Sequence, residues 1–198
     1  MNKWQYQAPL VILDEFLVAQ EWAGLLRHAL KRGTAFNADG GGEYDTGNGS
    51  RPPRVLHDLG RFHAMFADRI MAFLPQVLAR LRQPPFPVTH IEIQMTATND
   101  GQFLPKRRDN DIDRCRSVAF VYYFFREPKS FTGGALRLYD AQLDPRGGVT
   151  GGSFQTIHPM QNQIVVFPSD CLQEVLPVSC QSRQFANSRF TVNGWLHQ

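Results

Sequence analysis

Cysteine is scarce in this chain. Three of 198 residues are Cys, at positions 115, 171 and 180. The number is odd and no CxxC pair occurs, so the reading is reduced thiols in a cytoplasmic protein, not a disulfide framework. An excess of one charge is missing too. The 21 basic and 18 acidic residues leave a net charge of +3. That balance is too even to indicate a nucleic-acid partner. No long apolar run exists. The longest, Val118 to Phe125, is far too short to cross a membrane. Asp14 and Glu15 interrupt the apolar residues near the N-terminus, so a basic-then-apolar leader is not expected. What is plentiful is apolar and aromatic. Hydrophobic residues make up 42%, with 15 Phe, enough for a packed core.

Pro9 to Leu13 reads as an opening strand. Val18 to Arg32 reads as a helix, with Trp22, Leu25, Leu26, Ala29 and Leu30 on one face and Gly33 as its stop. Asn37 to Pro53 is a polar segment containing Gly40-Gly41-Gly42, Gly47 and Gly49. It reads as a mobile loop, either a surface connection or a lid over a site. A second helix is predicted over Phe62 to Arg82, with Phe62, Phe66, Ile70, Phe73, Leu74, Val77, Leu78 and Leu81 in its buried stripe. Pro75 should kink it, and Pro84-Pro85-Phe86-Pro87 stops it.

From Thr89 the period changes from helical to alternating. Ile91, Ile93 and Met95 alternate with Glu92, Gln94 and Thr96, as in a half-buried strand that ends at Asn99-Asp100-Gly101. Further strands are expected over 116–126, 134–139, 153–158, 162–168, 173–178 and 188–196. Gly133-Gly134, Asp144-Pro145-Arg146-Gly147-Gly148, Pro159 and Pro168 punctuate them. Short strands with regular turns indicate a sandwich or barrel. The expected organisation is one domain: residues 1–88 give helical support and the glycine-rich loop, and 89–198 form the β core.

Five segments then appear in order. They are Asp100-Gly101-x-Phe103; Arg116 to Tyr123, ending in a tyrosine pair; Gly133-Gly134-Ala-Leu-Arg-Leu-Tyr139; Ile164 to Ser169 with Glu174-Val175-x-Pro177-Val178; and Ser188-Arg189-Phe-Thr-Val-Asn-Gly-Trp195. Together they resemble the iron(II)/2-oxoglutarate dioxygenases of the prolyl 4-hydroxylase type. The resemblance implies an α+β, mainly β fold: a double-stranded β-helix of the jelly-roll or cupin kind, with supporting N-terminal helices. It implies that Arg189 grips the far carboxylate of 2-oxoglutarate, with Tyr123 and Asn193 near it. Asn193 follows Arg189 by four residues and so shares its strand face.

The sequence departs from this family where the family holds its metal. The family's proximal slot reads His-x-Asp; here it reads Arg107-Arg108-Asp109. Its distal slot reads His-Glu-Val; here it reads Gln173-Glu174-Val175. A 2-His-1-carboxylate site binds iron(II) through neutral imidazole lone pairs. Arginine has no lone pair to offer, and glutamine is a poor ligand. The expectation is therefore a homologue without iron(II), with Arg107 paired to Asp109. Arg107, Asp109 and Gln173 would be the residues of any non-redox chemistry, and 2-oxoglutarate or another carboxylate the ligand. The other reading is an active oxygenase with unusual ligands, acting on a small-molecule or peptidyl substrate. His90-x-Glu92 with His158 offers a substitute metal set, but neither histidine stands where the turns would deliver a ligand.

Overall fold

The computed structural model describes residues 5–37, 52–143 and 149–198. Strands β1 (Gln5–Tyr6) and β2 (Val11–Leu13) precede helix α1 (Ala19–Lys31). Strand β3 (Arg54–Leu56) and helix α2 (Arg61–Leu81) follow. The β region then runs β4 (His90–Thr98), β5 (Leu104–Arg107), β6 (Arg116–Phe124), β7 (Thr132–Gly133), β8 (Leu136–Leu143) and β9 (Val149–Ile157). It closes with β10 (Gln163–Pro168), β11 (Gln173–Val175), β12 (Val178–Ser179) and β13 (Arg189–His197).

Two antiparallel sheets face each other. The major sheet has the order β2-β10-β6-β13-β4-β3. The minor sheet joins β8 to β1, β9 and β11, and β11 to β5. This is the double-stranded β-helix that the family resemblance implied, and a form of the sandwich or barrel that the strand pattern indicated. Three short strands, β1, β2 and β3, come from the first 88 residues, so that part of the chain supplies sheet edges as well as helices.

The helices are amphipathic and cover one face of the major sheet. Leu25 and Ala29 of α1 and Phe66, Ile70, Leu74 and Leu81 of α2 share one core with Met95, Phe120, Tyr122 and Phe190. Arg69 of α2 donates two bonds of 2.9 Å to the Glu21 carboxylate, fixing one helix against the other. The same carboxylate accepts the Val18 N–H at the start of α1. Helix α2 continues through Pro75 as a single element. Among the described residues, no helix is long and apolar enough to span a membrane.

Two expectations need correcting. Phe73, expected in the buried stripe of α2, is 44% exposed. Strand β4 is buried on both faces, not half-buried. Ile93, Met95 and Ala97 pack under the helices, while Gln94, Thr96 and Thr98 are buried on the opposite face. Alternation of apolar and polar residues usually separates core from water. Here it separates a dry core from the interior of the barrel, because the minor sheet covers the second face.

Candidate functional site

Strand β5 was not predicted. It places Arg107 directly across from Gln173 of β11. The chain then turns through a short 3-10 segment at Asp109–Asp111, and the backbone N–H of Asp109 donates to Ser169 O at 3.0 Å. That turn carries Asp109 inward beside the facing pair. Its Oδ2 accepts hydrogen bonds from Gln173 Nε2 and from Trp195 Nε1, each at 2.7 Å. Arg107 Nη2 lies 3.5 Å from the other oxygen, Oδ1. Arg116 stacks over the Trp195 ring at 4.1 Å.

Asp109 is almost wholly buried, its side chain 3% exposed. Burial pushes its carboxyl above the ordinary carboxylate value, while Arg107, Trp195 and Gln173 pull it down. The Arg107–Asp109 pairing expected from the sequence is present. Trp195 is a partner that sequence reasoning missed. It lies six residues beyond Arg189, an even number, so period two puts both on one face. That signal was available.

The other end of the pocket is built on β13 and β6. The Arg189 guanidinium lies over the Tyr123 ring, 5.0 Å from its centre. Tyr123 is fully buried. Burial raises its phenol, and the Arg189 charge and hydrogen bond oppose that rise. Gly134 explains the Gly-Gly motif here. It has φ +66°, and a Cβ at that position would lie 2.6 Å from Arg189 Cδ. Only glycine lets the arginine stem pass so close to the backbone.

One cavity connects these ends. Arg107, Asp109, Gln173, Arg189, Asn193 and Trp195 all line it, and so do Thr96, Thr98 and Thr191, which the sequence reading had not singled out. Tyr123 borders it through Arg189. Phe103, just past the Asp100-Gly101 turn, is also in the wall. The turn is held by Asp100, which accepts the Cys180 N–H at 2.9 Å and faces Arg183 at 3.0 Å. Residues 38–51 of the glycine-rich loop lie outside the described residues, so its placement at the mouth is not assigned. Pro53, at its C-terminal end, lines the cavity.

The substitute metal set is not assembled. His90 and His158 are exposed, and neither lines the cavity. Glu92 is engaged by Arg116 at 2.7 Å and lies 3.5 Å from His197. Among the described residues, no group of three His, Cys, Asp or Glu side chains could hold a metal ion. The residues in the family's ligand slots fit iron(II) poorly. The carboxylate faces two N–H donors and a guanidinium, none of which offers a lone pair to a cation. Of the cysteines, Cys115 is exposed, Cys171 partly buried and Cys180 buried, and all are free.

Comparison with known proteins agrees with this fold. The sequence model of the 2OG-Fe(II) oxygenase superfamily matches residues 93–197. An uncharacterized PKHD-type hydroxylase of Synechocystis sp. is 46% identical over 137 residues, covering 68% of this chain and 45% of that protein. The chain thus spans less than half the length of that relative. A Pseudomonas putida prolyl-4-hydroxylase superposes over 96% of this chain and 93% of its own, with TM-score 0.64 and 18% identity. A Trichoplax adhaerens prolyl hydroxylase, solved with a hypoxia inducible factor peptide, superposes with TM-score 0.66 and 18% identity, covering 96% and 84%. At these identities the two structures speak to the fold alone.

Proposed function

This chain belongs to the 2OG-Fe(II) oxygenase superfamily, and on that premise we propose that it is an iron-free member that binds an anionic small molecule in the inherited pocket. One observation carries the reading. The carboxylate that would ligate the metal instead accepts hydrogen bonds from Gln173 and Trp195 and pairs with Arg107. A guanidinium is always charged in a protein. A +1 and a +2 charge about 4 Å apart repel by roughly 8 kcal/mol at an effective dielectric near 20. Swinging Arg107 out of the pocket would relieve that repulsion. It would leave Asp109 and Gln173 nearly alone to hold the ion.

Arg189 supports the ligand half of the proposal. Buried beside Tyr123 and lining the cavity, it presents a planar fork suited to a carboxylate. At the other end Arg107 supplies a fixed positive charge where the family places its metal. The pocket could therefore hold and polarise an anion without activating oxygen. The chemistry open to it is non-redox, with Arg107, Asp109 and Gln173 as the polar groups at the reacting end.

The second reading is an active 2-oxoglutarate and iron(II)-dependent oxygenase of the hydroxylase type, with unusual ligands. Family membership favours it. One experiment decides: measure metal content after anaerobic loading with iron(II), then succinate released from 2-oxoglutarate on admitting air. The proposal expects no stoichiometric iron and no succinate. One equivalent of iron with succinate formation, abolished by Asp109→Ala, would establish the oxygenase instead.

A further inference from the structure

The even charge total hides an uneven distribution. The last turns of α1 meet the start of α2: the His28 ring lies 5.4 Å from that of Phe62, and Arg61 reaches back to Gly24. Arg27, Lys31, Arg32 and Arg61 stand around this junction. Gly33 follows α1, and a Cβ there would lie 3.0 Å from Phe185 Cε1, so that ring rests on the helix end. Arg54 lies over the Phe185 ring at 6.0 Å. Arg54, Phe185 and Arg183 line an open cleft, about 670 Å³ of it accessible to the centre of a water-sized sphere. Of the six cations, Arg32 pairs with Asp58 and Arg183 with Asp100. No carboxylate among the described residues pairs with the other four, and all four are exposed. The six cations and two carboxylates leave an excess of four positive charges, against +3 for the whole chain. The remainder of the molecule is slightly acidic on balance, so the positive field is concentrated on this face.

We propose that this face binds a single-stranded nucleic acid, its phosphates on Arg27, Lys31, Arg54 and Arg61 and one base stacked on Phe185. The inference goes beyond the anion-binding reading above, because none of these residues lines the central cavity. All but one of the cations on this face are arginines, whose planar fork matches phosphate oxygens two at a time. Phe185 decides between polyanions. The face of an aromatic ring is negative, so a carboxylate gains nothing there, whereas a nucleobase stacks. The polar walls of the cleft are already committed. Asn99 Nδ2 donates to Gln184 O at 3.0 Å and to Ser188 Oγ at 2.8 Å, and Gln102 Nε2 donates to Pro52 O at 2.7 Å. Those amides hold the wall together and do not read base edges. Charge and stacking remain, the two interactions that hold a strand without regard to its sequence. A duplex keeps its bases stacked on one another and would engage the charges alone.

The test is fluorescence anisotropy on the parent protein with four labelled probes of equal length: oligothymidylate, an abasic strand of the same backbone, poly-glutamate, and oligothymidylate paired with oligoadenylate. Each phosphate held on a single strand contributes about −0.7 to the slope of log affinity on log salt. Four to six such contacts give about a 50- to 300-fold loss of oligothymidylate affinity between about 50 and 200 mM salt. The abasic strand and poly-glutamate should bind at least about fivefold more weakly, since each lacks the stacked base. Arg27→Gln with Lys31→Gln should reduce the salt slope by about 1.4, and Arg54→Gln by about 0.7. An abasic strand or poly-glutamate that binds as tightly as oligothymidylate would overturn the inference. So would a duplex that binds more tightly, an affinity indifferent to salt, or no binding at about 0.1 mM protein and about 50 mM salt. The probes are compared on the unaltered protein, so the result does not depend on a variant folding.

Discussion

Arg107→Met is the most informative single change, because it keeps most of the side-chain stem and removes only the charge. Arg107 Nη2 stands 3.5 Å from Asp109 Oδ1, with side chains 14% and 3% exposed. At an effective dielectric near 20, a unit pair at that separation attracts by roughly 5 kcal/mol. Removing one partner of a buried pair costs about 3–5 kcal/mol, since the other charge is left uncompensated. For a chain of this size that is a fall of about 6–20 °C in Tm. The pH dependence identifies the cause. Burial already raises the Asp109 carboxyl above its ordinary value of 3.8. A carboxyl with a raised folded pKa binds its proton more tightly in the folded chain. Stability therefore falls as pH rises from the unfolded value through the folded one, and is level above it. Without Arg107 the folded value rises further, so the variant goes on losing stability over a wider interval. The difference between parent and variant should be largest at pH 8 and shrink as pH falls through the parent's folded value, below which Asp109 is protonated in both. Urea unfolding at several pH values measures it. The double variant with Asp109→Asn should abolish the pH dependence of the difference. A cost that is constant with pH, or below about 1 kcal/mol at pH 8, would refute the buried-pair account.

Further outcomes follow from neighbouring contacts. Trp195→Phe removes the indole donor to Asp109 but keeps a ring beneath Arg116; it should cost about 1.5–3 kcal/mol at neutral pH, read by urea unfolding. Gly134→Ala places a methyl 2.6 Å from Arg189 Cδ at φ +66°; it should destabilise by about 1–3 kcal/mol and weaken carboxylate binding at least tenfold, read by melting and calorimetry. Arg107→His with Gln173→His should restore iron(II) binding, read by metal analysis, because the two positions face each other across β5 and β11 beside Asp109. Thiol titration of the native protein at pH 8 should find one fast group. Cys115 is exposed, whereas burial pushes the Cys171 thiol up to about 12; Cys115→Ser should abolish the fast phase.

The sequence by itself determined the long elements and the order of the fold. The stripe from Phe62 to Leu81 and the alternation from His90 to Thr98 are each many residues long, so periodicity identifies them without knowledge of their neighbours. That Arg107, Asp109, Gln173 and Arg189 belong together was also legible, because turn and strand motifs order them, and all four line the same cavity. Tertiary structure alone decided the rest. Strands β1, β3, β5 and β7 have two to four residues each. Such segments carry too little pattern to be recognised, and they exist because a remote strand supplies their hydrogen-bond partners. The register that sets Arg107 against Gln173 is of the same kind. So is the fate of Thr96, Thr98 and Thr191. In sequence they mark the polar phase of a strand. In the folded chain the minor sheet closes over that phase, and polarity that would have met water lines a cavity instead. Whether a strand's polar face meets solvent or a cavity depends on what packs opposite it, and period two contains no information about that.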